Sequence, residues 1–236
     1  MNEDAHPRSI RSFVVRGGRI TDGQQRALEE SWPHYGVDFE PKPIDLDALF
    51  GRSAPRTLEI GFGNGENLVA LAAAHPERDY FGIEVHRPGV GRLFLSAAKL
   101  GLTNIRASAH DAVEVLNQQI PAAAFDEVLV LFPDPWHKKR HHKRRLIQPD
   151  FVQSIASALK PQGVFHLATD WGPYAEHMLE VLNACARFNN TSPDRAYVPR
   201  DEMRIHTRFE KRGQRLGHDV WDLAFTRNNT GCDARN

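Results

Sequence analysis

Cysteine is scarce in this chain of 236 residues, which contains only Cys185 and Cys232. Two cysteines that far apart provide neither a disulfide framework nor a metal-binding spacing, so a reducing, cytoplasmic setting is expected. Long hydrophobic runs are also missing. Residues 1–19 are polar and lack the apolar core of a signal peptide, and no run approaches the length that spans a membrane. We therefore expect a soluble intracellular protein with no membrane partner.

An excess of charge of either sign is missing as well, because 30 Lys and Arg residues balance 30 Asp and Glu residues. Any surface that attracts a polyanion must therefore be local. The length is sufficient for one domain with a full core. We expect a basic, partly flexible amino-terminal extension over residues 1–50, one folded domain over residues 51–227, and a polar tail over residues 228–236.

Predicted strands and helices alternate from residue 56 onwards. The strands are expected at 57–60, 80–84, 104–108, 127–132 and 164–168. The helices are expected at 66–74, 88–100, 112–116, 149–159 and 173–186, with one short helical stretch at 24–31 in the extension. A last strand at 220–225 is expected at an edge of the sheet. Repeated β-α units of this length predict an α/β fold with a doubly wound, mostly parallel, Rossmann-like sheet and an antiparallel edge strand.

A glycine-rich turn joins the first predicted strand to the first helix, where Gly61, Gly63 and Gly65 alternate with other residues. Glycines at this turn let the backbone approach a ligand, and the helix that follows offers free N–H groups. The position where a dinucleotide-binding fingerprint has its third glycine is Glu66. The turn therefore predicts a nucleotide-like ligand but matches an NAD or FAD site imperfectly.

Acidic residues lie at the ends of three successive strands. Glu59 comes just before the glycine turn, where its charge would repel a pyrophosphate and favour the sulfonium of S-adenosylmethionine. Glu84 is placed to accept the ribose hydroxyls of an adenosine, and Asp111 the adenine amino group. Each acid alone could be a helix cap or a surface charge, Asp111 in particular. Together, at the strand ends where α/β sheets bind ligands, they predict a methyl-donor site.

The segment Phe132-Pro133-Asp134-Pro135-Trp136 follows the fourth predicted strand. Each proline pushes the preceding residue toward extended geometry, so Phe132 and Asp134 are expected to be restrained and the carboxylate preset. From residue 138 to 145 every residue is Lys, Arg or His, a charge density that attracts phosphate. Trp136 could stack on a base or pack the loop onto the sheet. No metal site is expected among the nearby histidines, which have no Cys partners.

The sequence resembles the bacterial tRNA (guanine-N7)-methyltransferases over nearly its whole length. The motifs that carry this resemblance are Arg11-Ser12-Phe13-Val14, Trp32-Pro33-His34-Tyr35-Gly36, Glu59-Ile60-Gly61-Phe62-Gly63, Gly82-Ile83-Glu84-Val85-His86, the segment 132–145, Ala168-Thr169-Asp170-Trp171, and Thr207-Arg208-Phe209-Glu210 followed by Gly213. The resemblance implies a class I methyltransferase domain over residues 51–227. It also implies S-adenosylmethionine as donor and N7 of a guanine in the tRNA variable loop as acceptor.

The resemblance also implies roles for individual residues. Asp134 would be the catalytic residue. The donor would be bound by Glu59, Gly61, Gly63, Gly65, Glu84, Asp111 and Asp134. The substrate site would consist of Lys138, Asp170, Thr207, Arg208, Phe209 and Glu210. The partner implied is tRNA, with no metal and no obligate protein partner.

Three other functions stay open at this stage. A nicotinamide-dependent oxidoreductase on the same fold is favoured by the glycine turn and Glu84, and disfavoured by Glu66. A noncatalytic RNA-binding module would explain the basic run but not the acids at the strand ends. A methyltransferase acting on a base amino group is the closest alternative, because such enzymes use an Asx-Pro-Pro-aromatic loop related to Pro133-Asp134-Pro135-Trp136.

Overall fold

The computed structural model describes residues 11–13, 19–200 and 219–229. Their strands form a seven-stranded sheet in the order β3-β2-β1-β4-β5-β7-β6. The strands are β1 (Arg56–Ile60), β2 (Asp79–Ile83), β3 (Ile105–Ser108), β4 (Phe125–Leu131), β5 (Leu159–Thr169), β6 (Phe188–Asn190) and β7 (Trp221–Arg227). The α-helices are α1 (Asp22–Glu30), α2 (Trp32–Tyr35), α3 (Leu46–Phe50), α4 (Glu66–Ala74), α5 (Arg87–Leu100), α6 (Ala112–Gln118), α7 (Pro149–Ala158) and α8 (Gly172–Ala184), and a 3₁₀ helix covers Lys139–Arg144.

The first five strands are parallel and β7 is antiparallel to both of its neighbours. This confirms the doubly wound, mostly parallel fold class with antiparallel pairing at one edge. The strand predicted at 220–225 is not itself the outermost strand, because β6 pairs with its far side, placing Asn190 opposite Phe225. Strand β6 was not predicted from the sequence, because its three residues form too short a pattern to recognise.

The helices begin and end where the local sequence favours it. At the start of α1, Thr21 and Gln24 form a capping box in which each side chain binds the other's backbone N–H. Asp45 caps α3 by accepting from the Ala48 N–H. Proline occupies the first turn of α5, α7 and α8, where its missing N–H costs nothing.

The sheet is buried on both faces, as expected for parallel strands between helices. All five residues of β1 and all five of β2 are buried. One cluster of apolar side chains includes Leu58, Phe125 and Phe165, and packs with α6, α7 and α8. A second cluster includes Leu68 and Phe94, and packs α4 and α5 on the opposite side. These two layers hold the carboxyl ends of the central strands in a fixed arrangement.

Residues 19–50 pack on this domain through more structure than the single helical stretch that the sequence analysis predicted. Ala27 and Leu28 of α1 are buried, and the Gln24 amide donates to the Pro88 carbonyl at 3.0 Å. Val37 donates its N–H to the Ala107 carbonyl at 2.9 Å, beside the end of β3. The predicted domain boundary near residue 51 stays a prediction. Within the described ranges, no helix combines the length and the apolar character needed to cross a membrane.

Candidate active site

A pocket of about 360 Å³ opens at the carboxyl ends of β1, β2, β3 and β4. This is the edge of an open α/β sheet where ligands bind. Its volume falls in the range of small-molecule sites. The lining residues are Ser12, Phe13, Ile60, Gly61, Gly63, Ile83, Glu84, Val85, His86, His110, Asp111, Ala112, Leu131, Phe132, Pro133, Asp134 and Leu146. Most of the lining side chains are apolar, and three carboxylates, those of Glu84, Asp111 and Asp134, lie among them.

The glycine turn leaves open space toward this pocket. Gly61 and Gly63 have φ values of 75° and 58°, in the left-handed region that favours glycine. A Cβ at either position would meet no atom within 4 Å, so a ligand can approach the backbone there. Gly65, the third predicted glycine, packs against a neighbouring helix. A Cβ on Gly65 would lie 2.5 Å from Leu93 Cδ1, so this glycine lets α4 pack against α5 and is not part of the lining.

The Glu84 carboxylate is held by two backbone groups. One oxygen accepts from the Gly63 N–H at 2.8 Å and the other from the His86 N–H at 2.9 Å. Charged acceptors make stronger hydrogen bonds than neutral ones, so this contact fixes the glycine turn to the end of β2. Each carboxylate oxygen can accept more than one hydrogen bond. Glu84 lines the pocket and can therefore also accept from ligand hydroxyls there.

Asp111 serves as the amino-terminal cap of α6, with one oxygen accepting from the Val113 N–H at 2.9 Å. The capping role considered in the sequence analysis is therefore present. The same residue lines the pocket, beside His110 and Ala112. His110 stacks on Phe39 with their ring centroids 3.9 Å apart, and its imidazole pairs with Glu114. Capping orients the Asp111 side chain while its other oxygen can accept from a ligand.

Glu59 is buried behind the pocket lining, with only 3% of its surface exposed. Its carboxylate accepts a hydrogen bond from the Asn67 side-chain amide at 3.1 Å. Burial raises the pKa of Glu59 from 4.5 to about 7, and the charges of Glu84 and Glu127 act in the same direction, against the Asn67 hydrogen bond. The neighbourhood of Glu59 is therefore one in which a positive charge would be favoured.

The raised pKa predicts that Glu59 lowers stability as the pH rises. Between pH 4.5 and about 7 the folded chain holds a proton on Glu59 that the unfolded chain releases, so the free energy of unfolding falls through this window. Glu59→Gln removes the charge and keeps the shape. We expect the variant to be more stable than the wild type by about 3 kcal/mol at pH 8 and by about 1 kcal/mol at pH 5.

Urea unfolding at the two pH values measures this difference. Glu66→Gln is the matched control, because Glu66 is exposed at the start of the same helix that carries Asn67. The change between pH 5 and pH 8 should be larger for Glu59→Gln than for Glu66→Gln. An equal difference at both pH values for Glu59→Gln would contradict the prediction.

The segment after β4 leaves the sheet with an unusual backbone. Phe132 has a φ of 54° and Trp136 a φ of 47°, both in the left-handed region. The extended geometry expected for Phe132 from Pro133 is therefore wrong. The Phe132 N–H donates to the Ala168 carbonyl at 2.8 Å and continues the β4–β5 pairing, so the chain must turn at this residue. Backbone strain of this kind concentrates at functional sites.

Asp134 follows this turn, between Pro133 and Pro135, and is exposed at the pocket rim. No described residue donates a hydrogen bond to its carboxylate. The exposed carboxylate can therefore accept hydrogen bonds from a ligand at this rim.

Arg145 was predicted as part of the phosphate-attracting run, and the structure contradicts this. Its side chain is buried, with 3% exposed. It donates to the carbonyls of Pro135 at 3.0 Å and Pro173 at 3.2 Å, and its guanidinium lies 4.8 Å from the Tyr174 ring centroid. Burial lowers the pKa of Arg145, although an arginine stays charged. Arg145 thus joins residues 132–136, which we call the Asp134 loop, to the start of α8.

Four other cations of the run are accessible on or directly before the 3₁₀ helix. Lys138, Lys139, Arg140 and Lys143 are exposed. Lys138 precedes this helix and Asp170 directly follows β5, so both predicted substrate residues lie near the same end of the sheet but outside the pocket lining. The other four, Thr207, Arg208, Phe209 and Glu210, lie outside the described residues. No group of His, Cys, Asp and Glu side chains suited to a metal occurs in the described part of the chain.

Comparison with known proteins identifies the family. A family model described as "Putative methyltransferase" matches residues 53–223. The "tRNA (guanine-N(7)-)-methyltransferase" of Edwardsiella ictaluri is 59% identical, with 93% of this chain and 92% of that protein covered. The protein of the same name from Aeromonas hydrophila is 57% identical, with 97% of each covered.

This chain belongs to the tRNA (guanine-N7)-methyltransferase family. The solved 16S rRNA methyltransferase KamB has a TM-score of 0.56 at 18% identity, covering 91% of this chain and 98% of that one, which shows the shared class I fold. Membership of this family favours a methyltransferase over an oxidoreductase and over a noncatalytic RNA-binding module.

Gly89 is a residue of this methyltransferase that the sequence analysis missed. It lies in the first turn of α5, and a Cβ there would be 2.1 Å from the Gly63 carbonyl oxygen. The helix can approach the glycine turn this closely only without a side chain. The sequence contained a clue to this role, because glycine inside a predicted helix lowers the stability of the helix and usually has a packing reason.

We expect Gly89→Ala to displace the glycine turn, because the clash involves backbone that cannot shift cheaply. The free energy of unfolding should fall by about 1–3 kcal/mol, and S-adenosylmethionine should bind more weakly in calorimetry. Gly23→Ala is the matched control, since a Cβ on this helical glycine meets no atom within 4 Å. Equal behaviour of the two variants would contradict a packing role for Gly89.

Proposed function

We propose that the chain transfers a methyl group from S-adenosylmethionine to N7 of a guanine in the variable loop of tRNA. The observation that carries the proposal is the pocket itself, which brings the glycine turn, Glu84, Asp111 and Asp134 together beside an exposed basic helix. The donor and the nucleic acid would then meet at the Asp134 loop.

The pocket suits the methyl donor in shape and charge. Open space above Gly61 and Gly63 admits a ligand against the backbone. Glu84 would accept the ribose hydroxyls, and Asp111 the adenine amino group. Glu59 would act from behind the lining as a negative charge that favours a cationic ligand. When bound, S-adenosylmethionine supplies an electrophilic methyl group on a sulfonium.

Methylation at N7 makes modest demands on the protein. The N7 atom has an in-plane lone pair and no proton, so no general base is required. Alignment and electrostatic stabilisation must therefore supply most of the catalysis. Asp134 would accept from the guanine N1–H and amino group, which selects guanine over adenine. Its charge would also stabilise the positive charge that the purine ring acquires.

The tRNA would be held by the exposed cations and by the predicted substrate residues. Lys138 directly precedes the basic helix, and with Lys139, Arg140 and Lys143 it would contact phosphates. We assign Asp170, Thr207, Arg208, Phe209 and Glu210 to the substrate site on the strength of the sequence motifs. Phosphate contacts of this kind make binding weaken with salt. We also propose that the enzyme works in the cytoplasm without an obligate protein partner.

Methylation of unmodified tRNA tests the proposed function. Purified protein is incubated with donor carrying a labelled methyl group, and the tRNA is then treated with borohydride and aniline. We expect label incorporation and strand cleavage at the labelled nucleotide, because only a methylated ring nitrogen opens the ring to this chemistry. A transcript with the variable-loop guanine replaced by adenine is the control.

Two outcomes would contradict the proposal. Incorporation of label without cleavage would indicate methylation of a base amino group, the alternative suggested by the Pro133-Asp134-Pro135-Trp136 loop. Binding of NAD without binding of S-adenosylmethionine would indicate an oxidoreductase.

A further inference from the structure

Trp136 contacts three neighbours. The indole N–H donates to the Ser12 carbonyl at 3.0 Å. The Arg144 guanidinium lies over the ring, 4.7 Å from its centroid, and His141 meets it edge-on with centroids 5.8 Å apart. An indole with its N–H bonded and a face occupied by a cation is poorly placed to receive a nucleic-acid base. These contacts favour packing over stacking as the role of Trp136.

The acceptor of the indole hydrogen bond belongs to the pocket wall. Ser12 and Phe13 both line the pocket that we assign to the methyl donor. Arg11 extends over the Phe13 ring, 5.7 Å from its centroid. We call residues 11–13 the amino-terminal segment. Ser12 and Trp136 are separated by 124 positions in the chain, so a side chain of the Asp134 loop holds a distant segment against the pocket.

We propose that Trp136 is a positioning residue that holds the amino-terminal segment in place as a wall of the donor pocket. The inference rests on the proposed function, because it assigns the pocket to S-adenosylmethionine. Trp136 does not need to touch the donor. It acts through Ser12, whose position determines where the Phe13 ring lies along the pocket.

The neighbours of Trp136 link this wall to the tRNA surface. Arg144 and His141 belong to the basic 3₁₀ helix, and Asp134 lies two residues before Trp136. One indole therefore contacts a cationic residue of the helix and the segment that borders the donor. A wall held in its binding position before the ligand arrives lowers the ordering cost of binding.

The test compares Trp136→Phe with Trp32→Phe. Phenylalanine keeps an aromatic ring and removes the indole N–H. Trp32 is the matched control because it is also half-buried and donates its N–H locally, to Asp38 at 3.2 Å, away from the pocket. Calorimetry without tRNA measures the Kd for S-adenosylmethionine. We expect about a fivefold rise in Trp136→Phe, the size set by one lost hydrogen bond, and no change in Trp32→Phe.

Steady-state kinetics give a second reading of the same variants. We expect the KM for S-adenosylmethionine to rise in Trp136→Phe, with little change in kcat and in the KM for tRNA. A role as a stacking surface predicts the reverse, a raised KM for tRNA and an unchanged Kd for the donor. That pattern would overturn the proposal.

Limited trypsin digestion tests the contact independently of the donor. Cleavage after Arg11 gives a fragment that begins at Ser12, which mass spectrometry identifies. We expect this fragment to form faster in Trp136→Phe than in the wild type and Trp32→Phe. Equal rates in all three proteins would overturn the proposal. A wild-type protein that fails to bind S-adenosylmethionine would instead refute the proposed function, and the digestion would still test the Trp136 contact.

If Trp136→Phe does not fold, 3-benzothienylalanine at position 136 replaces it in all three measurements. Its sulfur removes the N–H with almost no change of shape. An unchanged donor Kd in that variant would overturn the proposal.

Discussion

Asp134→Asn should lower kcat for tRNA methylation by about 100-fold at saturating tRNA and S-adenosylmethionine. The substitution keeps the shape of the side chain and removes its charge. An amide cannot accept from the guanine N1–H and amino group with both of its terminal atoms, and it cannot stabilise the cationic ring. Loss of one preorganised electrostatic contact in an active site typically costs a factor of this size. Initial rates with labelled donor measure the effect.

The fold of Asp134→Asn should be unchanged, because no described residue hydrogen-bonds to the carboxylate and its position is exposed. Asp150→Asn is the matched control, an exposed carboxylate in the first turn of α7. It should retain wild-type kcat. A turnover of Asp134→Asn close to that of the wild type would refute the catalytic role of this carboxylate.

Arg145→Lys should destabilise the protein by about 2–5 kcal/mol and also reduce kcat. Lysine has one nitrogen and cannot reach the carbonyls of Pro135 and Pro173 in the arrangement that the guanidinium holds. Each of these part-buried hydrogen bonds involves a charged group, and such a bond contributes about 1.5–3 kcal/mol. Because Pro135 directly follows Asp134, loosening this contact should also misplace the catalytic carboxylate. Urea unfolding and initial rates measure the two effects.

Arg140→Lys is the control for this prediction, since Arg140 is an exposed member of the same basic run. It keeps its charge and should retain wild-type stability and kcat. Equal stability of the two variants would show that Arg145 is not the contact that holds the Asp134 loop.

The sheet could be predicted from sequence because its signals are local. Continuous apolar runs such as Val128 to Leu131 mark buried parallel strands, and glycine and acidic residues at the strand ends mark the ligand edge. The short helices over Trp32–Tyr35 and Leu46–Phe50 were missed because they have less than two turns of periodic pattern. Strand β6 was missed for the same reason.

The loop that carries Asp134 could be located from sequence but not described. The rule for residues before proline predicts an extended backbone at Phe132. The φ of Phe132 is instead positive, because its N–H pairs with the Ala168 carbonyl at the point where the chain turns. Every residue from position 138 to 144 before Arg145 is Lys, Arg or His. The local sequence therefore does not distinguish the buried arginine from its exposed neighbours. The contact between Trp136 and Ser12 joins positions that only the tertiary fold brings together.

A crystal structure with S-adenosylhomocysteine, the product of the methyl donor, would locate the donor site. We expect the nucleoside in the pocket at the carboxyl ends of β1 to β4, with its ribose hydroxyls on Glu84 and the sulfur on the side of Asp134. Phe13 should lie against the bound product. Density for the product at any other place on the protein, with this pocket closed by its own side chains, would contradict the account.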